Sequence, residues 1–223
     1  MIPGLFFVMK QSTSKEQILK KVRAALLQKR DNPYQNMEET PLYPSFREPL
    51  EFEFAKQFTA VAGKFVFCED EMDMVENLLV LAEKASLRRM YVWEPALQRL
   101  MDQYGFPYYS TDTDFEKADA GITLCEALIA RNGSILVSNA GPAGRRLSIY
   151  PHMHIVVAYT SQIVGDIKEG LEQLKQRYAA QFPSMVNLIT GPSRTADIEK
   201  TLVLGAHGPR ELYVFLLDDS IEN

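Results

Sequence analysis

Cysteine, histidine and tryptophan are scarce in this 223-residue chain, which has two Cys, three His and one Trp. Cys68 and Cys125 lie far apart, each within an apolar run, and His152, His154 and His207 do not supplement them. A zinc or iron–sulfur site needs several thiolates or imidazoles at short spacing, so no metal site is expected, and the cysteines should be reduced and buried in a cytoplasmic protein. No apolar run is long enough to cross a bilayer. MIPGLFFVM at the start lacks a basic leading region and a small-residue cleavage site, and Met9-Lys10-Gln11 ahead of Ser-Thr-Ser is the expected native start. Charge of one sign is also lacking: a net charge of -5 argues against nucleic acid as an obligatory partner. Neither a Walker loop nor a glycine-rich dinucleotide fingerprint occurs, and no internal repeat is visible.

What is present is the material of a globular core, 46% hydrophobic and 24% charged residues, at a length that needs no disulfide or metal to hold it. Charge is unevenly placed, with seven Lys/Arg and one acid between residues 10 and 30. Ser14 and Gln17 form a capping-box pattern, and Ile18, Leu19, Val22, Ala25 and Leu26 recur at helical spacing to near Arg30. Prolines 33, 41, 44 and 49 make the following stretch an extended arm, with Tyr34, Tyr43 and Phe46 packing on the chain's own core. Two regions are therefore expected, an extension over 1–50 and an α/β domain over 51–223.

Within the second region, Phe54, Phe58 and Val61 predict a helix ended by Gly63, and Lys64 to Cys68 a buried strand. A helix through Val75, Leu78, Leu79 and Ala82, a strand at Met90 to Trp93 and a helix opened by Pro95 follow. That alternation predicts a mostly parallel sheet flanked by helices. Asn132-Gly133 between Ala127–Ala130 and Ser134–Ser138 predicts an inserted antiparallel hairpin with a type I′ turn. Beyond it lie strands at His154–Tyr159, Met185–Ile189 and Leu212–Leu217, and a helix carrying Ile163, Ile167, Leu171, Leu174 and Tyr178.

Thr190 to Glu199 is the most unusual segment. A strand, then Gly191-Pro192, then Ser193, Arg194, Thr195 and Asp197 at an expected helix start would offer free backbone N–H groups and a guanidinium fork to a carboxylate or phosphate. The alternative is a capped turn with Arg194 paired to Asp197 or Glu199. The turn Gly205-Ala206-His207-Gly208-Pro209-Arg210 offers an imidazole as an acid or base near neutral pH, against the commoner role of a hydrogen-bonding spacer. Arg145, Arg146 and Ser148 end a further loop, and alternation places His152 and His154 on one face.

The run Thr190–Glu199, the following Thr201–Arg210, Arg146-Leu147-Ser148 and the strand around His154-Ile155 resemble the lactate utilisation protein C family, the LUD domain, over roughly residues 10 to 218. The resemblance implies an α/β fold similar to the ribose-phosphate isomerase and CoA-transferase group. It also implies a place in a three-protein system oxidising L-lactate to pyruvate, whose other two members are iron–sulfur proteins. Gly191, Pro192, Ser193, Arg194, Thr195, Asp197, Gly208, Arg210, Arg145, Arg146 and Ser148 are then the candidate ligand contacts, with His207 the candidate catalytic group. Arg131 stands where relatives carry an acid, which sets aside a glutamyl-thioester at that turn, and Ile149–His154 replaces a more proline-rich stretch. A stand-alone enzyme for a phosphorylated or CoA-linked acid and a structural assembly subunit, either with a second copy of the chain as partner, remain the competing classes.

Overall fold

The computed structural model describes residues 13–27, 43–195, 203–204 and 208–219. The chain divides into two compact units, Met1–Ser45 and Phe46–Asn223. In the first, α1 (Ser14–Leu27) opens one residue earlier than the Ser14–Gln17 pattern predicts: Glu16 N–H donates to Thr13 Oγ1 (3.3 Å) and Thr13 N–H to Glu16 Oε2 (2.8 Å). Thr13 wins because its own capping partner, Glu16, lies at the third helical position and also suits the positive helix start. Tyr34 lies outside the described residues, and Tyr43 is exposed.

The second unit runs α2 (Leu50–Ala60), β1 (Lys64–Cys68), α3 (Glu71–Lys84), β2 (Met90–Val92), α4 (Pro95–Gln103) and β3 (Ala120–Thr123). Then come β4 (Ala127–Ile129), β5 (Ser134–Ser138), β6 (Met153–Tyr159), β7 (Ile163–Val164), α5 (Ile167–Arg177) and β8 (Val186–Ile189). The short pair β9 (Arg194–Thr195) and β10 (Val203–Leu204) precedes the last strand, β11 (Glu211–Leu217). Five strands form an all-parallel sheet in the order β1-β11-β6-β3-β2, and four form a mixed sheet in the order β7-β4-β5-β8.

Alternation on β6 builds the layers. Ile155 and Val157 pack with Val75, Leu78, Leu97 and Met101 of α3 and α4, while Val156 and Ala158 face Phe54, Phe58, Leu128 and Ile135 of α2 and the mixed sheet. The far side of the mixed sheet, through Ile129, Leu136 and Val164, is covered by Leu171 of α5. A strand buried on both faces reads as a continuous apolar run, which is how β6 and β11 read.

Local signals were followed at several element ends. Asp70 Oδ1 accepts from Asp73 N–H (2.8 Å) to cap α3, Asp166 caps α5, and Pro95 occupies the first turn of α4. The turn after α2 differs from expectation in one detail: Ala62 takes the left-handed conformation (φ 66°), and Gly63 is required because a Cβ there would strike the Phe58 ring.

Four expectations are corrected. Lys64–Cys68 is an edge strand and only partly buried, with Phe67 exposed, because its outer side has no neighbour in the sheet. The β4–β5 connection uses four residues, 130 to 133, since Ile129 pairs with Ser134, and Gly133 alone of the Asn-Gly pair has positive φ, so the turn is not type I′. Ile163 belongs to β7, paired with Leu128, and the helix starts only at Ile167. Arg194-Thr195 is a strand paired with Val203-Leu204, not a helix start. Phe46 does pack on the core, with the Arg131 guanidinium 4.3 Å over its ring.

Candidate functional site

The Gly191 turn and the described part of the second glycine turn, Gly208 to Arg210, meet near the amino ends of β6 and β11. Gly191 has φ +75°, and a Cβ there would collide with the Val61 carbonyl oxygen, so this turn after β8 requires glycine. Ser193 N–H donates to Pro209 O (2.9 Å), and the Gly208 position lies against the Ser193 side chain. Arg210 N–H donates in turn to His152 O (2.8 Å), which ties the second turn to the start of β6. The open cavity between them, about 270 Å³, is lined by Ser148, Gly191, Pro192, Ser193 and Gly208 together with Ile149, Asn187, Leu188, Ile189, Pro209 and Leu212, and by His154.

His154 is fully buried, whereas His152 is exposed just before the strand, so the two do not share an environment as alternation suggested. Its Nε2 lies 2.9 Å from Thr123 Oγ1 on the neighbouring strand, and its Nδ1 is buried without a hydrogen-bond partner among the described residues. Burial pushes the imidazole down to about 3, so the ring is neutral at physiological pH. An unsatisfied buried polar atom costs about 1–3 kcal/mol.

The remaining candidates are placed elsewhere. Arg194 Nη2 donates to Val61 O (2.8 Å), bracing the Gly191 turn from outside. Arg145 donates to Ser184 Oγ (2.9 Å); Arg146 lies 3.5 Å from Asp112 and over the Phe115 ring. Arg210 is exposed, Thr195 is in β9, and Asp197 and His207 lie outside the described residues. The described residues that line the cavity therefore supply hydroxyls, an amide and a neutral imidazole, and no charged group. Among the described residues no three His, Cys, Asp or Glu side chains converge to hold a metal ion. Cys68 and Cys125 are free and buried, and burial pushes the Cys68 thiol up to about 12.

The opposite end of the parallel sheet holds a second constellation that motif reading passed over. Glu94, just past β2, accepts from Leu124 N–H (3.0 Å) just past β3, and burial lifts its carboxyl to about 7, with the nearby Glu126 adding to the rise. Glu126 is held by Arg177 (2.7 Å), Tyr178 (3.0 Å) and Ser138 (2.5 Å). The available signal was positional: ligands of open α/β sheets gather beyond the carboxyl ends of strands, and Glu94 and Glu126 follow two strands whose ends the sequence showed.

A family model described as LUD domain matches residues 52–217. The chain belongs to the LUD domain family. Lactate utilization protein C of Bacillus velezensis is 30% identical over 171 residues, which cover 72% of this chain and 71% of that protein. Lactate utilization protein C of Bacillus subtilis is 34% identical over 125 residues, and the match spans about half of each chain, 52%. The crystal structure of a DUF162 family protein from Deinococcus radiodurans aligns with a TM-score of 0.58 and 21% identity over 78% of this chain and 99% of that one, which shows the shared fold. The LUD match includes both ends of the parallel sheet, the cavity at the amino ends of β6 and β11 and the Glu94–Glu126 pair beyond β2 and β3. Among the described residues of this LUD protein, no helix is long and apolar enough to cross a membrane.

Proposed function

We propose that this chain acts in lactate utilisation, as a subunit or accessory factor in the oxidation of L-lactate to pyruvate. The observation that carries this reading is the 30% identity over most of the chain to a relative named for lactate utilisation, together with the LUD match. Oxidation of lactate releases two electrons and two protons. In this reading iron–sulfur partner proteins take the electrons one at a time, and the present chain supplies a ligand pocket at Ser148, Gly191, Pro192, Ser193 and Gly208, inside the cytoplasm.

Residues 51–223 carry that pocket, and residues 1–50 form an arm whose basic helix, with Lys15, Lys20, Lys21 and Arg23, meets an acidic partner surface. Such a contact weakens with salt. Deleting 1–45 should leave a cooperative thermal transition and abolish partner association; an unfolded product would place the helix in the core.

The function is tested by removing the gene from its host and growing the strain on L-lactate as sole carbon source. Growth should fail and be restored by the full chain, while normal growth contradicts the proposal. The isolated chain should not reduce an artificial acceptor with L-lactate. Turnover by the chain alone would favour the stand-alone enzyme.

A further inference from the structure

One helix and one groove of this chain are complementary in polarity and in charge. None of the residues of α1 is buried, and Ile18, Val22 and Leu26 are 61%, 49% and 77% exposed. At helical spacing these three form one apolar stripe with Leu19 and Ala25, and Lys21 and Arg23 stand on its two flanks. Lys15, Lys20, Lys21 and Arg23 against Glu16 make the helix strongly basic. A helix of 14 residues is marginal in water by itself, so the stripe needs a surface to cover it.

The groove lies at the edge of the parallel sheet. β1 is the outermost strand, and alternation sends Phe65 and Phe67 to the side on which α2 packs. With Phe52 and Ala55 of α2 they line an open hollow of about 490 Å³, in which Phe52 and Phe67 are 69% and 48% exposed. The charged residues of its lining are both acids, Glu51 and Asp218. An anionic metabolite meets no cation in that lining. A basic amphipathic helix fits it, because the stripe leaves water while the flanking cations meet carboxylates.

Every copy of the chain carries both halves, so a second copy is the occupant this complementarity favours. Residues 28–49 join α1 to α2 and, fully extended, span roughly 70 Å, against a radius of gyration of roughly 16 Å for a domain of this size. That reach carries the helix of one copy to the groove of another. Reciprocal exchange closes a two-fold dimer with two identical contacts. We propose that α1 of one copy docks its Ile18, Val22 and Leu26 stripe into the Phe52, Phe65 and Phe67 groove of a second copy, which returns its own α1. This rests on the arm reading above and names the acidic surface that the basic helix meets.

Sedimentation equilibrium of the full chain at micromolar concentration tests the exchange. A dimer is expected, and it should weaken as salt rises because the rim contacts are screened. Val22→Glu sets a carboxylate in the stripe against an acidic groove, and Phe52→Lys sets a cation in the groove against a basic helix. Both alter exposed side chains, so both variants should melt like the wild type. Each alone should raise the dissociation constant at least about tenfold. Mixed in equal amounts they should dimerise again, since the Val22→Glu helix meets the Phe52→Lys groove with opposite charge and the other contact is wild type. A full chain that is monomeric at that concentration, a dimer indifferent to either variant, or a mixture that stays monomeric would overturn the proposal. Loss of the dimer in Val22→Glu but not in Phe52→Lys removes the groove and leaves the arm reading standing. Partner association that survives deletion of residues 1–45 removes the arm reading itself.

Discussion

At opposite ends of one parallel sheet the chain buries a histidine and a glutamate, and burial moves them in opposite directions. His154 is held deprotonated at the amino ends of β6 and β11, and Glu94 is held toward its protonated form beyond the carboxyl end of β2. Both are driven toward the neutral form for one reason: burial disfavours charge whatever its sign. The difference lies in partners. Glu94 has a backbone N–H from Leu124 and a second carboxylate nearby, whereas one nitrogen of His154 is buried with no hydrogen-bond partner among the described residues. The proposed ligand pocket lies at the amino end.

The comparison can be broken most forcefully at Gly191. Gly191→Ala places a side chain at positive φ and against the Val61 carbonyl, so the turn must move. A loss of roughly 3 kcal/mol in unfolding free energy is expected. Chemical denaturation measures it, and the Glu94 end should keep its titration while the cavity is lost.

Next in size is Glu94→Gln. A carboxyl raised from 4.5 to about 7 in the folded state contributes its full stability below pH 4.5 and loses it as pH rises through 7. The variant should therefore gain on the wild type by about 1–3 kcal/mol between pH 4.5 and 8. Parallel pH–stability curves would show that Glu94 is not perturbed. His154 acts with the opposite sign: its folded value lies below its unfolded one, so its contribution is complete above pH 6.5 and declines as pH falls toward 3. In Glu94→Gln the acid-side loss should consequently stand out more steeply, starting below about pH 6.5.

The smallest effect belongs to Arg194→Ala. Its exposed guanidinium makes one hydrogen bond to Val61 O, worth about 0.5–1.5 kcal/mol, and thermal melting should show a loss in that range. L-Lactate affinity should change by less than about threefold; a tenfold loss would bring the side chain into the ligand site.

Much of the main sheet was legible because its strands are buried on both faces and its helices announce themselves. The runs at Met90, His154 and Leu212 are apolar and β-prone, and Pro95 marks a helix start by its own geometry. Ile163 was misassigned because its spacing to Ile167 fits a helix, while pairing with Leu128, distant in sequence, decides the matter. Lys64–Cys68 looked buried because composition does not reveal an edge. The candidate site divides in the same way. Glycines at 191 and 208 stood out by type, and the structure brings their turns together. The environment of His154 depends on Thr123 and on the lack of a partner at Nδ1 among the described residues, facts of packing that no local pattern carries.

One titration tests the central claim, that the amino end of the sheet and not the carboxyl end is the ligand site. Side-chain NMR signals of His154 and Glu94 can be followed together as L-lactate is added to the full chain. The account expects the His154 ring nitrogens to shift in a saturable way while the Glu94 carboxyl stays still. A saturable shift at Glu94 with His154 unmoved would contradict it.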